Sequence, residues 1–180
     1  MLGDFSSLGQ ASPFIDYSSD GSSIVLSISS DLYRVHLSSD NTVNGAPELL
    51  TPNTDGFAEW SPSYSPDGGR IAYTAGQIGR SGTVRTSEIA LLNLVSGAAT
   101  RVTTKRNKGK AASGHDNAMW SADGASIGFS AFTGATPRRS PCSTFVNSEI
   151  FLINADGTGV ASALTTTNGT GLEVWPQWGW

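Results

Sequence analysis

The sequence predicts an all-β chain assembled from repeated four-stranded antiparallel units, and three observations predict it. Gly, Ser and Thr together supply more than a third of the 180 residues, while charged residues make up 14%, against about 25% in an average globular domain. The longest stretches free of Gly, Pro, Ser and Thr are eight residues, EIALLNLV at 88–95 and EIFLINAD at 149–156. That is the short limit of globular helices, so a bundle or coiled coil is excluded. An aromatic followed by a Ser/Asp/Gly turn also occurs three times: YSSDG at 17–21, YSPDG at 64–68 and WSADG at 120–124.

Each turn introduces a short apolar strand: SIVLSIS (23–29), RIAYTAG (70–76) and SIGFSAF (126–132). The two-residue period of a strand puts Ile24 with Leu26, Ile71 with Tyr73 and Ile127 with Phe129 on one face. A more continuously apolar strand follows, in DLYRVHL (31–37), EIALLNLV and EIFLINAD, as expected where both faces are buried. Each unit closes on an aliphatic–Thr pair: Leu50-Thr51, Val102-Thr103 and Leu164-Thr165. In Ser65-Pro66-Asp67-Gly68 the proline presets φ and the glycine accepts positive φ, while SDNTVNG and NADG supply third-to-fourth turns. WPQW at 175–178 begins a fourth unit.

Four-stranded antiparallel repeats of roughly 40–50 residues are the pattern of β-propeller blades, in which each sheet packs on its neighbours. The predicted organisation is an N-terminal extension (1–12), blade 1 (13–51), blade 2 with its preceding link (52–103), blade 3 with its link (104–165) and the first strand of a further blade (166–180). PSYSPDGGRIAYTA (62–75) carries the strongest likeness, and over 13–180 the chain resembles the TolB-like, WD-repeat-like propeller repeat. Tyr17 and Tyr64 replace its tryptophan, and Ser19 and Ala122 stand where Pro66 keeps its proline. The resemblance implies a non-enzymatic periplasmic or extracellular propeller that binds proteins or peptides, with no cofactor. Similar repeats also form the substrate-gating propeller of prolyl-oligopeptidase-like serine peptidases, and a saccharide-binding propeller is a third reading. Three blades and one strand do not close a ring of four or more, so the expectation is either that the chain is part of a longer propeller or that a second copy completes the ring.

In this topology the first-to-second and third-to-fourth turns share one rim, which carries Asp20, Asp40, Asp67, Asp123 and Asp156. The other rim is expected to bear long loops at 76–87, 104–117 and 132–148. These hold Arg80, Arg85, Lys105, Arg106, Lys108, Lys110, Arg138 and Arg139, eight of the eleven cations, offset by Asp116. Loops longer than a turn needs commonly carry function on a rigid scaffold, and a basic field favours an anionic partner. Five positions before Tyr64, Trp120 and Trp178 stand Glu59, His115 and Glu173, expected at the channel mouth, where two carboxylates and an imidazole suit a divalent ion. Trp60 and Trp175 there are equally core residues or ligand-stacking surfaces, whereas Trp120 and Trp178 are packing anchors.

A net charge of −4 excludes a general nucleic-acid binder. Unbroken aliphatic or aromatic runs reach only four residues, IALL and IFLI, far short of the roughly 18 needed to span a membrane, so no insertion is expected. The N-terminal MLGDFSSLGQ shows no secretory signal, and Cys142, the lone cysteine, allows neither an internal disulfide nor a thiolate zinc site. GASIG (124–128) matches the hydrolase Gly-x-Ser-x-Gly pattern, but that motif needs a strand-to-helix turn, and Ser126 aligns instead with the start of a repeat strand.

Overall fold

The computed structural model describes residues 11–52, 56–80, 82, 84–103, 112–133 and 147–166. Within them the chain is all-β. The first sheet contains β1 (Ala11–Tyr17), β2 (Ser23–Ile28), β3 (Asp31–His36) and β4 (Glu48–Leu49). β5 (Phe57–Tyr64), β6 (Arg70–Ile78), β7 (Val84–Asn93) and β8 (Ala99–Arg101) form the second. The third holds β9 (Ala112–Trp120), β10 (Ser126–Thr133), β11 (Asn147–Asn154) and β12 (Ser162–Ala163). Each sheet is an antiparallel meander in which sequence neighbours pair, so every link needs only a turn or a short connection. Residues 167–180, expected to open a further blade, lie outside the described residues.

The repeat is fixed by hydroxyl side chains that complete backbone pairing. In the first turn of each sheet, Ser18, Ser65 and Ser121 donate to Asp20, Asp67 and Asp123. The same carboxylates accept the backbone N–H of Ser22, Gly69 and Ala125. Gly68 completes the second of these turns at φ 69°, a region open to glycine but costly for side chains. At the other end of each unit, the hydroxyl oxygens of Thr51, Thr103 and Thr165 accept the N–H groups of Leu32, Ile89 and Ile150. Threonine therefore extends the ladder past a fourth strand only two or three residues long, which is why the aliphatic–Thr pair recurs.

The sheets stack face to face. Val25 and Leu32 of the first sheet meet Tyr64, Ile71, Tyr73, Ala90 and Leu92 of the second. On the opposite face of the second sheet, Ala72, Ile89 and Leu91 meet Trp120, Ile127, Phe129, Phe151 and Ile153 of the third. The anchors Tyr64 and Trp120 are buried and point back to the preceding sheet. The Tyr64 hydroxyl is 3.1 Å from that of Ser23, and the Trp120 indole donates to the Ser63 carbonyl. Tyr17 departs from the expected buried anchor, being 53% exposed. The backward contact that buries its equivalents has no described sheet to meet there.

Two of the expected loops shrink to strands. β6 and β7 pair as far as Ile78 with Val84, so 76–78 and 84–87 belong to the strands rather than to a loop. β9 begins at Ala112, making 112–117 an inner strand rather than loop. The cause is close packing around glycines. A Cβ on Gly76 would fall 2.4 Å from the Trp60 ring, and one on Gly114 2.8 Å from the Ser87 hydroxyl. Both segments are thus held inside the sheet stack.

Candidate functional site

The inner strands β5 and β9 run side by side in register. Trp60 donates its indole N–H to Asp116 at 2.8 Å, and Ser61 donates its hydroxyl to Asn117 at 3.2 Å. These pairs occupy equivalent repeat positions, so the two strands point the same way and their sheets share a common rim. The ends of strands that bound 79–83, 104–111 and 134–146 all open on that rim, and the Ser/Asp/Gly turns lie on the opposite one. Both strands also carry a β-bulge here, with Ser61 at φ 50° and Asn117 at φ 55°. Positive φ at two non-glycine residues is uncommon, and the bulge re-aims the strand so that neighbouring inner strands approach.

The sequence-derived cations divide by location. Arg80 is exposed on the β6–β7 turn, and Arg85 is the second residue of β7. Lys105, Arg106, Lys108, Lys110, Arg138 and Arg139 lie outside the described residues, as do Glu173 and Trp175. The three remaining arginines serve the sheets. Arg34 pairs with Glu48 at 2.7 Å, Arg70 stacks over Trp120 at 4.5 Å, and Arg101 pairs with Glu88 while covering the Phe57 ring.

Glu59 and His115 sit on the adjacent inner strands β5 and β9. Both are buried, and their backbones dock one sheet on the one before. The N–H of Glu59 donates to the Ser30 carbonyl at 2.9 Å, and its carbonyl accepts the Ser27 hydroxyl. The N–H of His115 donates to the Ser87 hydroxyl at 3.1 Å. Its imidazole Nδ1 lies 2.9 Å from the Thr103 hydroxyl, and its ring meets Phe129 edge-on at 5.0 Å. Alignment found the shared position but not its direction, since a strand residue beside a bulge no longer follows simple alternation. Among the described residues no three His, Cys, Asp or Glu side chains gather as metal ligands.

Trp60 is a joint residue as well as a partly exposed one. Its ring rests on Gly76 and its indole engages Asp116. Asp116, read from sequence as a loop acid that offsets the cations, is instead an inter-sheet carboxylate. Its Oδ1 accepts from Trp60, from the Thr74 hydroxyl at 2.9 Å and from the Asn117 N–H at 2.7 Å. Burial nevertheless pushes its carboxyl above the usual range, because desolvation disfavours the charged form. On the turn rim the direction reverses. Asp20 is drawn down to about 2 by the Ser22 N–H and the Ser18 and Ser22 hydroxyls. Hydrogen bonds led by those from Thr42, Ser65, Ser121 and Thr158 likewise lower Asp40, Asp67, Asp123 and Asp156.

Sequence reasoning missed the hydroxyl that stands ten positions after each anchor: Ser27, Thr74 and Ser130. It reaches forward, as Ser27 does to Glu59 and Thr74 to Asp116. The signal was present as a small hydroxyl residue in each otherwise apolar second strand.

Repeated four-stranded meanders stacked about adjacent inner strands define a β-propeller. The structure resembles TolB from Acinetobacter baumannii, with a TM-score of 0.56 and 24% identity over 85% of this chain and 32% of that one. It resembles the tricorn protease with a TM-score of 0.57 and 17% identity, over 82% of this chain and 14% of that one. Oligogalacturonate lyase from Vibrio parahaemolyticus aligns with a TM-score of 0.56 and 8% identity, over 82% and 38% of the two chains. The chain therefore has the TolB-like propeller fold and spans about a third of the length of that TolB. No family model matches the sequence, and no curated protein matches it.

Proposed function

We propose that this chain is part of a non-enzymatic β-propeller that binds a protein or peptide bearing acidic groups through the rim opposite its Ser/Asp/Gly turns. One observation carries this reading: the strand ends that bound 79–83, 104–111 and 134–146 open on the same rim, and those connections hold most of the cations in the sequence. Turn carboxylates, ionised at neutral pH, occupy the opposite rim. Carboxylates on the turn rim would repel an anionic partner and favour its approach to the rim on which the cation-bearing connections open. The described cations Arg34, Arg70 and Arg101 are engaged within the sheets, so Arg80 and the connection cations are the ones this reading assigns to binding. A periplasmic or extracellular location belongs to the same proposal and rests on the resemblance of the repeat.

The test uses the full chain on an array of Asp/Glu-rich peptides with neutral peptides of matched length as controls. Selective retention of the acidic set supports the proposal. Replacing Lys105, Arg106, Lys108 and Lys110 together with Gln should weaken binding by about tenfold or more and flatten its salt dependence, since screened charge attraction supplies the affinity. Equal retention of both sets, or an affinity unmoved by the substitutions, overturns it.

A further inference from the structure

We propose that Asn44 is a site of spontaneous covalent modification in the folded chain, where the exposed Asn44-Gly45 pair loses ammonia and becomes aspartyl-glycine or isoaspartyl-glycine. Asparagine is among the thermally labile residues, and a glycine after it offers a backbone nitrogen with no side chain in the way. The only co-reactant is water. The Gly45 nitrogen gives its proton to solvent and attacks Asn44 Cγ. The Cγ–Nδ2 bond breaks, and the amide nitrogen takes up a proton and leaves as ammonia, closing a succinimide ring. Water then opens the ring at either carbonyl. Opening at the main-chain carbonyl gives the isoaspartyl form, and opening at Cγ gives aspartate.

Two observations set this pair apart. A Cβ on Gly45 would meet nothing within 4 Å, so the ring has room to close. Among the described residues nothing accepts the Gly45 N–H, although the Asn44 N–H is tied to the His36 carbonyl at 2.8 Å. The same imide chemistry is open in principle to Asp20-Gly21, Asp67-Gly68, Asp123-Gly124 and Asp156-Gly157, but there the nucleophile is engaged. The N–H groups of Gly21, Gly68, Gly124 and Gly157 donate to the carbonyls of Ser18, Ser65, Ser121 and Asn154. Their aspartates are ionised at neutral pH, and a carboxylate resists the attack that a neutral amide accepts. Asn93 and Asn154 are likewise followed by Leu94 and Ala155, whose N–H groups donate to the Gly69 and Ala125 carbonyls. The products place a new carboxylate on the connection between Asp40 and Glu48. The isoaspartyl form also adds a main-chain methylene just before β4, whose ladder with β3 consists of Tyr33–Leu49 and Arg34–Glu48. Asn168-Gly169, which has the same sequence, lies outside the described residues. The inference is independent of the binding role proposed above.

The test holds the full chain at mildly alkaline pH, both native and in urea, and follows each site by peptide mass spectrometry. Isoaspartyl-specific enzymatic carboxyl methylation reads the rearranged product. Asn44 should convert in the native chain within about threefold of its rate in urea, because no hydrogen bond has to open first. Imide products at the Asp-Gly turns should form about five- to tenfold more slowly in the native chain than in urea, since each glycine N–H must first be released. A native Asn44 rate below the threefold range would show that the fold shields the pair and would overturn the proposal. Asn44→Gln moves the amide one carbon away from the nucleophile and should remove the isoaspartyl signal from this connection. A signal that persists there would place the chemistry at Asp40-Asn41 and overturn the assignment to Asn44.

Discussion

The indole nitrogen of Trp60 donates to Asp116 Oδ1 at 2.8 Å, joining the inner strands of the second and third sheets through a partly buried carboxylate. Thr74 and the Asn117 amide converge on the same oxygen. The contact belongs to neither sheet alone, so its chemistry reports on the joint.

Asp116 should make the joint sensitive to pH. Its folded-state value is raised by burial, so its favourable contribution is complete below the unfolded value of about 3.9 and is lost as pH rises through the raised value. Asp116→Asn keeps an oxygen acceptor and removes the buried charge. In urea denaturation across a pH series, this variant should show a flatter decline in stability toward neutrality and equal or exceed the parent at neutral pH. A variant clearly less stable than the parent at neutral pH would contradict this account. Asp116→Ala, which strands the converging donors, should cost about 1–3 kcal/mol.

The turn aspartates should titrate in the other direction. Their values are lowered by hydrogen bonds, and such a group contributes stability above its unfolded value that is lost as pH falls through the folded one. A carboxyl-carbon NMR titration should place Asp20 at about 2, with Asp67 and Asp123 also below the ordinary range and Asp116 above it. Indistinguishable titration of Asp20 and Asp116 would show that these environments are not formed in solution.

Gly76→Ala should destabilise the chain by about 1–3 kcal/mol through overpacking, since the added methyl falls within 2.5 Å of Trp60 ring carbons and 2.8 Å of Val84. Removing the ring relieves most of that conflict. A double-mutant cycle with Trp60→Ala should therefore show Gly76→Ala costing markedly less in the second background. Additive effects would mean that the ring does not rest on the glycine.

The anchors should differ by position in the stack. Trp120→Ala removes a buried ring and should cost about 3–5 kcal/mol, whereas Tyr17→Ala removes a side chain that is 53% exposed and should cost less than about 1 kcal/mol. Chemical denaturation of the two variants separates these values. Equal losses would indicate that Tyr17 is covered in solution as Tyr64 and Trp120 are.

The aliphatic–Thr endings and the Ser/Asp/Gly turns were legible in sequence because they rest on local chemistry. A serine two residues before an aspartate, followed by glycine, closes its turn whatever packs around it, and alternating Ile71 and Tyr73 define a buried face by period alone. Repetition multiplied these signals and determined the meander. Only the tertiary structure decided what Glu59, His115 and Asp116 do. Their strands bulge at Ser61 and Asn117, which breaks the alternation that sequence reasoning uses to assign direction. Asp116 looks like a surface acid in the one-dimensional chain, but inter-sheet contact with Trp60 and Thr74 makes it a partly buried joint residue. The partners that fix Asp116 stand 56 and 42 positions away, and no local propensity encodes that distance.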